Sequence, residues 1–226
     1  MHFLGKPVEG VIFDMDGLLL DSERLSMRAW QAGARQHGVK MPKAVFLQMI
    51  GHRNEDCLAI LQEFAGREIP QEAIAIAMYA EYERLLAEGV PLMPGAHKLV
   101  AWLAAVRMPL AVATSTHRAL ACKKLAAAGL LPFFQGVTGG DQVARGKPAP
   151  DIYLAALASL RGVAGEAVSP HKCLVFEDSS PGILAAAAAA LPVVAVPDLT
   201  QPTAKARQQA YAIMPNLLVA AKGFTT

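Results

Sequence analysis

Hydrophobic positions along the chain follow two different periods. Between residues 22 and 89 they recur at helical spacing. Cys57, Ile60, Leu61, Phe64 and Ala65 trace an i, i+3, i+4, i+7, i+8 stripe, and Ile74, Met78, Tyr82 and Leu85 trace a second. Gly38, Gly51, Gly66 and Pro70 punctuate this stretch, and nothing in it alternates as a half-buried strand does. A small helical bundle is predicted, its first helix capped by Ser22 with Glu23 in the first turn.

From Gly95 onward, short apolar runs alternate with helical stripes. Leu99, Trp102, Leu103 and Val106 make one stripe, and 109–113 then reads as a strand. A helix over 117–128 ends at Gly129, a strand lies near 134–138, and a helix runs from about 150 to 161. The strand 173–176, an alanine-rich helix 182–190, the strand 193–196 and a short strand at 211–214 complete the series. Strand and helix in turn predict a parallel sheet with crossover helices, an α/β fold. The run Val11-Ile12-Phe13 reads as a strand buried on both faces and belongs to the same sheet. The expected organisation is a core of residues 1–20 and 91–226, interrupted after its first strand by a helical domain of residues 21–90.

Length and charge narrow the picture. A chain of 226 residues suits one domain of ordinary size with a smaller insert. Its 21 Lys and Arg against 19 Asp and Glu give a net charge of +2 with no basic run, which leaves no footprint for nucleic acid or an acidic membrane. The N-terminal residues carry charge early and lack an apolar core of leader length. The charge-free stretch 179–197 contains Pro181, Gly182 and Pro192, so it reads as a buried helix followed by a buried strand and not as a membrane span. Cys57, Cys122 and Cys173 are odd in number and far apart. They are expected to be core thiols in a reducing cytoplasm, neither a disulfide framework nor a metal knuckle.

In open α/β sheets ligands sit outside the carboxyl ends of the strands, and four strand ends here carry polar groups. Asp14 and Asp16 end the first strand. Two apart on extended backbone, their carboxylates share one side before Gly17 turns the chain, a pairing that calls for a cation, a shared proton or full solvation. An Asx turn closing the strand is the plainer alternative. Thr114, Ser115 and Thr116 lead into a helix, where hydroxyls and free amides form an anion site or simply a cap. Lys147 stands in Gly-Lys-Pro-Ala-Pro-Asp, stiffened by Pro148 and Pro150. Glu177 and Asp178 follow a buried run, where carboxylates need compensation. Oxygen ligands without clustered His or Cys favour Mg²⁺, which takes a few carboxylates, waters and a substrate phosphate. Together these groups predict a phosphoryl-transfer site.

The ordered segments Phe-Asp-Met-Asp-Gly-Leu-Leu-Leu-Asp-Ser-Glu, Ala-Thr-Ser-Thr, Gly-Lys-Pro-Ala-Pro-Asp-Ile-Tyr and Leu-Val-Phe-Glu-Asp-Ser resemble the haloacid dehalogenase superfamily. The insert directly after the first segment is similar to the helical cap of its β-phosphoglucomutase and phosphatase branch. Residues 92–96 and 172–178 resemble the pseudouridine-5′-phosphatase and sugar-phosphate phosphatase group. The resemblance implies a Rossmann-like core with a helical cap and a role for each motif residue. Asp14 would attack phosphorus and form an aspartyl-phosphate. Asp16 would pass a proton to the leaving oxygen and take one from water, its backbone carbonyl helping to hold Mg²⁺. Thr114 and the Ser115 amide would grip phosphoryl oxygens, Lys147 would neutralise charge on Asp14 and the phosphoryl group, and Asp178, with Glu177 directly or through water, would complete the metal shell.

An Asp at position 16 fits phosphatases and phosphomutases but not the dehalogenases themselves. Sugar phosphomutases of this branch carry a His in the first cap helix and an Arg in the cap loop; Ser26 and Asn54 stand there here, which favours hydrolysis. Ser26, His52, Arg53 and Asn54 are candidate contacts for the substrate's organic part, or ordinary surface polar residues. The expectation is a Mg²⁺-dependent phosphatase, a monomer or weak dimer, acting on a small phosphorylated metabolite such as a sugar phosphate or nucleoside monophosphate. A sugar phosphomutase is the alternative. An inert binding module is the third reading, opposed by the presence of Asp14, Asp16, Thr114, Lys147 and Asp178 together.

Overall fold

The computed structural model describes residues 1–50, 54–162 and 165–225. The chain divides into two compact units, Met1–Asp21 with Pro91–Thr226, and Ser22–Val90. Asp21 falls with the sheet unit, where its N–H donates to the Pro91 carbonyl at 2.8 Å.

The sheet unit opens with β1 (His2–Phe3), β2 (Lys6–Pro7) and β3 (Gly10–Phe13). The helical unit that follows contains α1 (Ser22–Gln36), α2 (Lys43–Met49), α3 (Asn54–Ala65) and α4 (Gln71–Ala87). The second predicted stripe faces inward as expected, with Ile74, Met78 and Leu85 buried. The first does not hold along its length. Cys57, Leu58 and Leu61 are buried, but Phe64 is 46% exposed, so the buried face of α3 lies over its first two turns.

After the insert the chain runs α5 (Ala96–Ala105), β4 (Leu110–Ala113), α6 (Arg118–Ala127), β5 (Gly136–Thr138), α7 (Asp151–Ser159), β6 (Cys173–Glu177), α8 (Ser180–Ala188), β7 (Val193–Ala195), α9 (Ala204–Gln209), β8 (Ala212–Ile213), α10 (Leu217–Ala220) and β9 (Phe224–Thr225). The alternation is the one predicted, with boundaries shifted by one or two residues, most of them inward. In α5 the buried residues are Ala96, Leu99, Val100 and Leu103; Trp102 and Val106 are partly exposed, and the Trp102 ring packs 5.6 Å from that of Phe224. The alanine-rich helix starts earlier than expected because Ser179 caps it, accepting from the Gly182 N–H, and Pro181 fits the first turn, where no amide donor is required. It closes on Ala190 at φ 59°, with the Leu191 N–H donating to the Ala186 carbonyl at 3.0 Å. Glycine would fill that left-handed position at less cost.

Six parallel strands form the main sheet in the order β5-β4-β3-β6-β7-β8. β1 pairs antiparallel with β2 and β9 in a separate three-stranded patch that hydrophobic periodicity did not reveal, since two-residue strands carry no period. Side chains alternate across the central strand. Ile12 joins Ala111, Val175, Ile152 and the small residues of α8 on one face, while Phe13 stacks on Phe176 at 5.3 Å. From β3 the chain travels one way to β4 and β5 and later returns the other way through β6 to β8. The reversal places a crevice at the carboxyl ends of β4, β3 and β6.

Candidate active site

Register decides what meets in that crevice. Phe13 lies opposite Val112 on one side and Phe176 on the other, so Asp14 stands level with the ends of both neighbours, and its N–H donates to the Phe176 carbonyl at 3.0 Å. Gly17 has φ +83°, and a Cβ there would lie 2.5 Å from Asp178 Oδ2. Glycine therefore lets the chain turn after Asp16 with the Asp178 carboxylate directly against its backbone.

Lys147 reaches the same point from the loop before α7. Arg145 grips Asp151 with two hydrogen bonds of 3.1 and 2.7 Å, and the Ala149 N–H closes a turn on the Gly146 carbonyl. The Lys147 ammonium contacts Asp14 Oδ1, donates to Glu177 Oε1 at 2.6 Å and lies 5.2 Å above the ring centre of the buried Tyr153. All three charged side chains are nearly or fully enclosed. Burial disfavours the Lys147 charge, but Asp14 and Glu177 outweigh it and hold the ammonium well above its ordinary range. Burial is also the largest influence on Asp14 and pushes its carboxyl up to about 8, with Lys147 opposing and Glu177 adding to the rise.

Glu177 is fully buried beneath the start of α8. Its Oε2 accepts from the Ser179 N–H at 2.7 Å and from the Ser179 hydroxyl at 3.1 Å, and a helix N-terminus favours an anion. Any Cβ at Gly182 would overlap this carboxylate. Carboxylate oxygens of Asp14, Glu177 and Asp178 lie within 4.8 Å of one another, an all-oxygen donor set that fits a hard dication.

Asp16 points elsewhere. Its Oδ2 accepts from the Thr116 hydroxyl at 2.6 Å and lies 3.4 Å from that of Thr114, and its Oδ1 accepts from the Lys124 ammonium at 2.9 Å. Thr114 is buried at the end of β4 and its Oγ1 accepts from the Thr116 N–H, while the neighbouring Ser115 is exposed. Asp141, in the loop after β5, fixes the start of α6 by accepting from the Arg118 N–H at 2.7 Å.

The structure thus gathers Asp14, Asp16, Thr114, Ser115, Lys147, Glu177 and Asp178 at adjacent strand ends. Of the candidate contacts for the organic part, Ser26 lies half-buried on α1, Asn54 opens α3 with its side chain outside the described residues, and His52 and Arg53 lie outside them altogether. Four participants escaped the sequence reading. Tyr153 and Gly182 sit inside quoted or neighbouring motifs but show their role only through packing; Asp141 carried no motif; and Lys124 betrays itself only as a charge in the apolar stripe Ala121, Lys124, Leu125.

The doubly wound parallel sheet thus carries an acidic, lysine-neutralised cluster at its switch point. Residues 8–190 match the haloacid dehalogenase-like hydrolase family, and the chain belongs to that family. It is 34% identical over 184 residues to a phosphorylated carbohydrates phosphatase of Thermotoga maritima, covering 81% of this chain and 82% of that one. It is 36% identical over 197 residues to a Drosophila melanogaster protein named as a probable pseudouridine-5′-phosphatase, covering 85% and 83%. Among solved structures, a hydrolase of this family from Deinococcus radiodurans R1, crystallised with bound phosphate and sodium, superposes with a TM-score of 0.80 at 25% identity, covering 97% of this chain and 99% of that one. Family and relatives together make the chain a phosphoric monoester hydrolase.

Proposed function

We propose that this enzyme is a Mg²⁺-dependent phosphatase that cleaves a small phosphorylated metabolite, a sugar phosphate or nucleoside monophosphate, through an aspartyl-phosphate on Asp14. The observation that carries the proposal is the enclosed cluster in which the Lys147 ammonium lies between Asp14 and Glu177 while Asp178 closes the same group of oxygens. Asp14, Asp178 and the Asp16 main-chain carbonyl would hold the metal. Glu177, already engaged by Lys147 and Ser179, would reach it through water. When bound, the dication supplies positive charge that keeps Asp14 ionised and offsets the phosphoryl oxygens.

The chain's own groups carry the rest. An Asp14 carboxylate oxygen forms the bond to phosphorus as the ester P–O bond breaks, and the electron pair leaves with the alcohol oxygen, which takes a proton from Asp16. Water then attacks the phosphorus of the aspartyl-phosphate and gives its proton to Asp16 as the bond to Asp14 breaks, its electron pair returns to the Asp14 carboxylate, and phosphate leaves. Lys147 steadies charge on Asp14 and the phosphoryl group throughout, and Thr114 with the Ser115 amide positions phosphoryl oxygens. Ser26 and Asn54, standing where phosphomutases of this branch carry His and Arg, support hydrolysis over isomerisation, and the helical unit is assigned the choice of organic group. The three free cysteines support a reducing cytoplasm.

The test is release of inorganic phosphate from a panel of sugar phosphates and nucleoside monophosphates, with Mg²⁺ and with EDTA. Release that requires Mg²⁺ and falls by roughly 10⁴-fold or more in Asp14→Asn is expected. Isomerised ester without free phosphate, or equal rates in EDTA, overturns the proposal.

A further inference from the structure

We propose that Lys124 is a positioning residue for proton transfer by Asp16, an inference that rests on the acid and base role given to Asp16 above. Lys124 lies on α6, two turns beyond the loop that holds Thr114, and its side chain is 4% exposed. A lysine so enclosed is costly. Taking an ammonium out of water costs several kcal/mol, and an apolar residue of like size at such a site is often at least as stable. The stripe on this face of α6, with Ala121 and Leu125 buried beside it, is otherwise apolar. What the charge does at this position is visible in its bond to Asp16 Oδ1 at 2.9 Å, which completes a hold begun by Thr116 on Oδ2 at 2.6 Å. Oδ1 of the Asp16 carboxylate thus has a charged anchor, and Oδ2 a hydroxyl anchor in Thr116 with the Thr114 hydroxyl at 3.4 Å beside it.

This arrangement matters at a defined moment of the reaction. When the ester bond breaks, the Asp16 O–H bond breaks too, the proton passes to the bridging oxygen, and a negative carboxylate is left behind. Lys124 and Thr116 are already in place to receive that charge, with no solvent reorganisation needed. Lys147 by contrast contacts Asp14 and Glu177, so the two lysines hold different carboxylates. Lys124 therefore serves the acid, and Lys147 the nucleophile. How much Lys124 contributes depends on how far the leaving oxygen needs a proton. A nitrophenolate leaves readily without one and an alkoxide does not, so the effect grows with the basicity of the leaving group.

The experiment measures kcat/KM, which reports the steps through phosphoryl transfer, for a series of monoesters from p-nitrophenyl phosphate through phenyl phosphate to alkyl phosphates. The proteins are the full chain as wild type, Lys124→Met, Asp16→Asn and the double variant. Lys124→Met is expected to lose about tenfold or more on alkyl esters, a part of the roughly 10²–10⁴ that general acid catalysis supplies, and less than about threefold on the nitrophenyl ester. In the Asp16→Asn background the same substitution should cost nothing further, the mark of a residue that works through its partner. Equal losses across the series, or an undiminished loss in the Asp16→Asn background, overturn the role of Lys124. If Asp16→Asn itself shows no dependence on leaving group, the reading of Asp16 fails instead, and the two failures are told apart. Should Lys124→Met not fold, Thr116→Val removes the shorter hydroxyl bond to Oδ2 and must show the same slope; a flat response there overturns the proposal.

Discussion

Replacing Lys147 by Met keeps most of the side-chain volume and removes the charge, leaving Asp14 and Glu177 facing one another with both carboxylates enclosed. Removing one member of a buried ion pair costs about 3–5 kcal/mol. At about 2–4 °C per kcal/mol for a chain of this size, the melting temperature should fall by roughly 10 °C at neutral pH in EDTA. The pH dependence separates this cause from lost packing. A carboxyl whose folded-state pKa is raised binds a proton that the unfolded chain has already released, so the folded protein gains stability as pH falls through the raised value. Asp14 is raised to about 8 even with Lys147 in place, and without the opposing ammonium it rises further. The Lys147 ammonium, held well above its ordinary range, stays charged throughout this window in the parent protein. The deficit of Lys147→Met should therefore be widest near pH 9 and above, narrow toward pH 8 by at most about 1.4 kcal/mol per pH unit for the one extra proton bound, and level off below 8, where Asp14 of the parent takes up its own proton. Thermal melts of both proteins at several pH values in EDTA measure it. A deficit that is the same at both ends would show that the loss is packing and that Lys147 does not neutralise the pair.

Two further outcomes follow from the same geometry. Gly182→Ala forces a methyl into the Glu177 carboxylate, so a loss of about 1–3 kcal/mol in thermal stability and a fall in turnover are expected; unchanged melting and kinetics would mean that α8 moves freely away from β6. Because a proton on the raised Asp14 competes with a metal ion, Mg²⁺ affinity measured by calorimetry should strengthen with pH by up to about tenfold per unit below about 8 and then level off, and an affinity flat across that range would remove Asp14 from the competition.

What the sequence disclosed and what it withheld divide along physical lines. Val11-Ile12-Phe13 and Cys173 to Phe176 are long enough and apolar enough to announce buried strands, and the polar groups behind them follow from where such strands end. β1, β2 and β9 have two residues each and no period to detect. The α3 stripe misled because periodicity reports which residues share a face and not how far along the helix that face stays covered; Phe64 lies beyond the cover. Within the site, Asp14, Lys147 and Asp178 stood out as charges at strand ends. Lys124 did not, because a lone lysine on a helix ordinarily extends into water, and only the tertiary path of α6 turns this one inward. Gly182 was equally silent: the space it leaves exists only once Glu177 is folded beneath it.

The arrangement of charge explains how two aspartates so close in sequence can do different work. Asp14, Glu177 and Asp178 crowd three carboxylates around one ammonium, a balance that a dication would restore to neutrality. Asp16, only two residues on, is held by Lys124 and Thr116 from a different helix and loop. One carboxyl is thus placed to share its surroundings with a metal and attack phosphorus, and the other to exchange a proton, each governed by its neighbours and not by its residue type. Extended backbone alone would point both side chains the same way; the turn at Gly17 and the separate anchors on α6 and its preceding loop keep them apart. If that separation is the fold's contribution to catalysis, weakening the anchors on Asp16 should slow proton transfer while the enclosed cluster around Lys147 keeps its stability, so a variant such as Thr116→Val should lose rate on alkyl esters without the pH-dependent melting deficit expected of Lys147→Met.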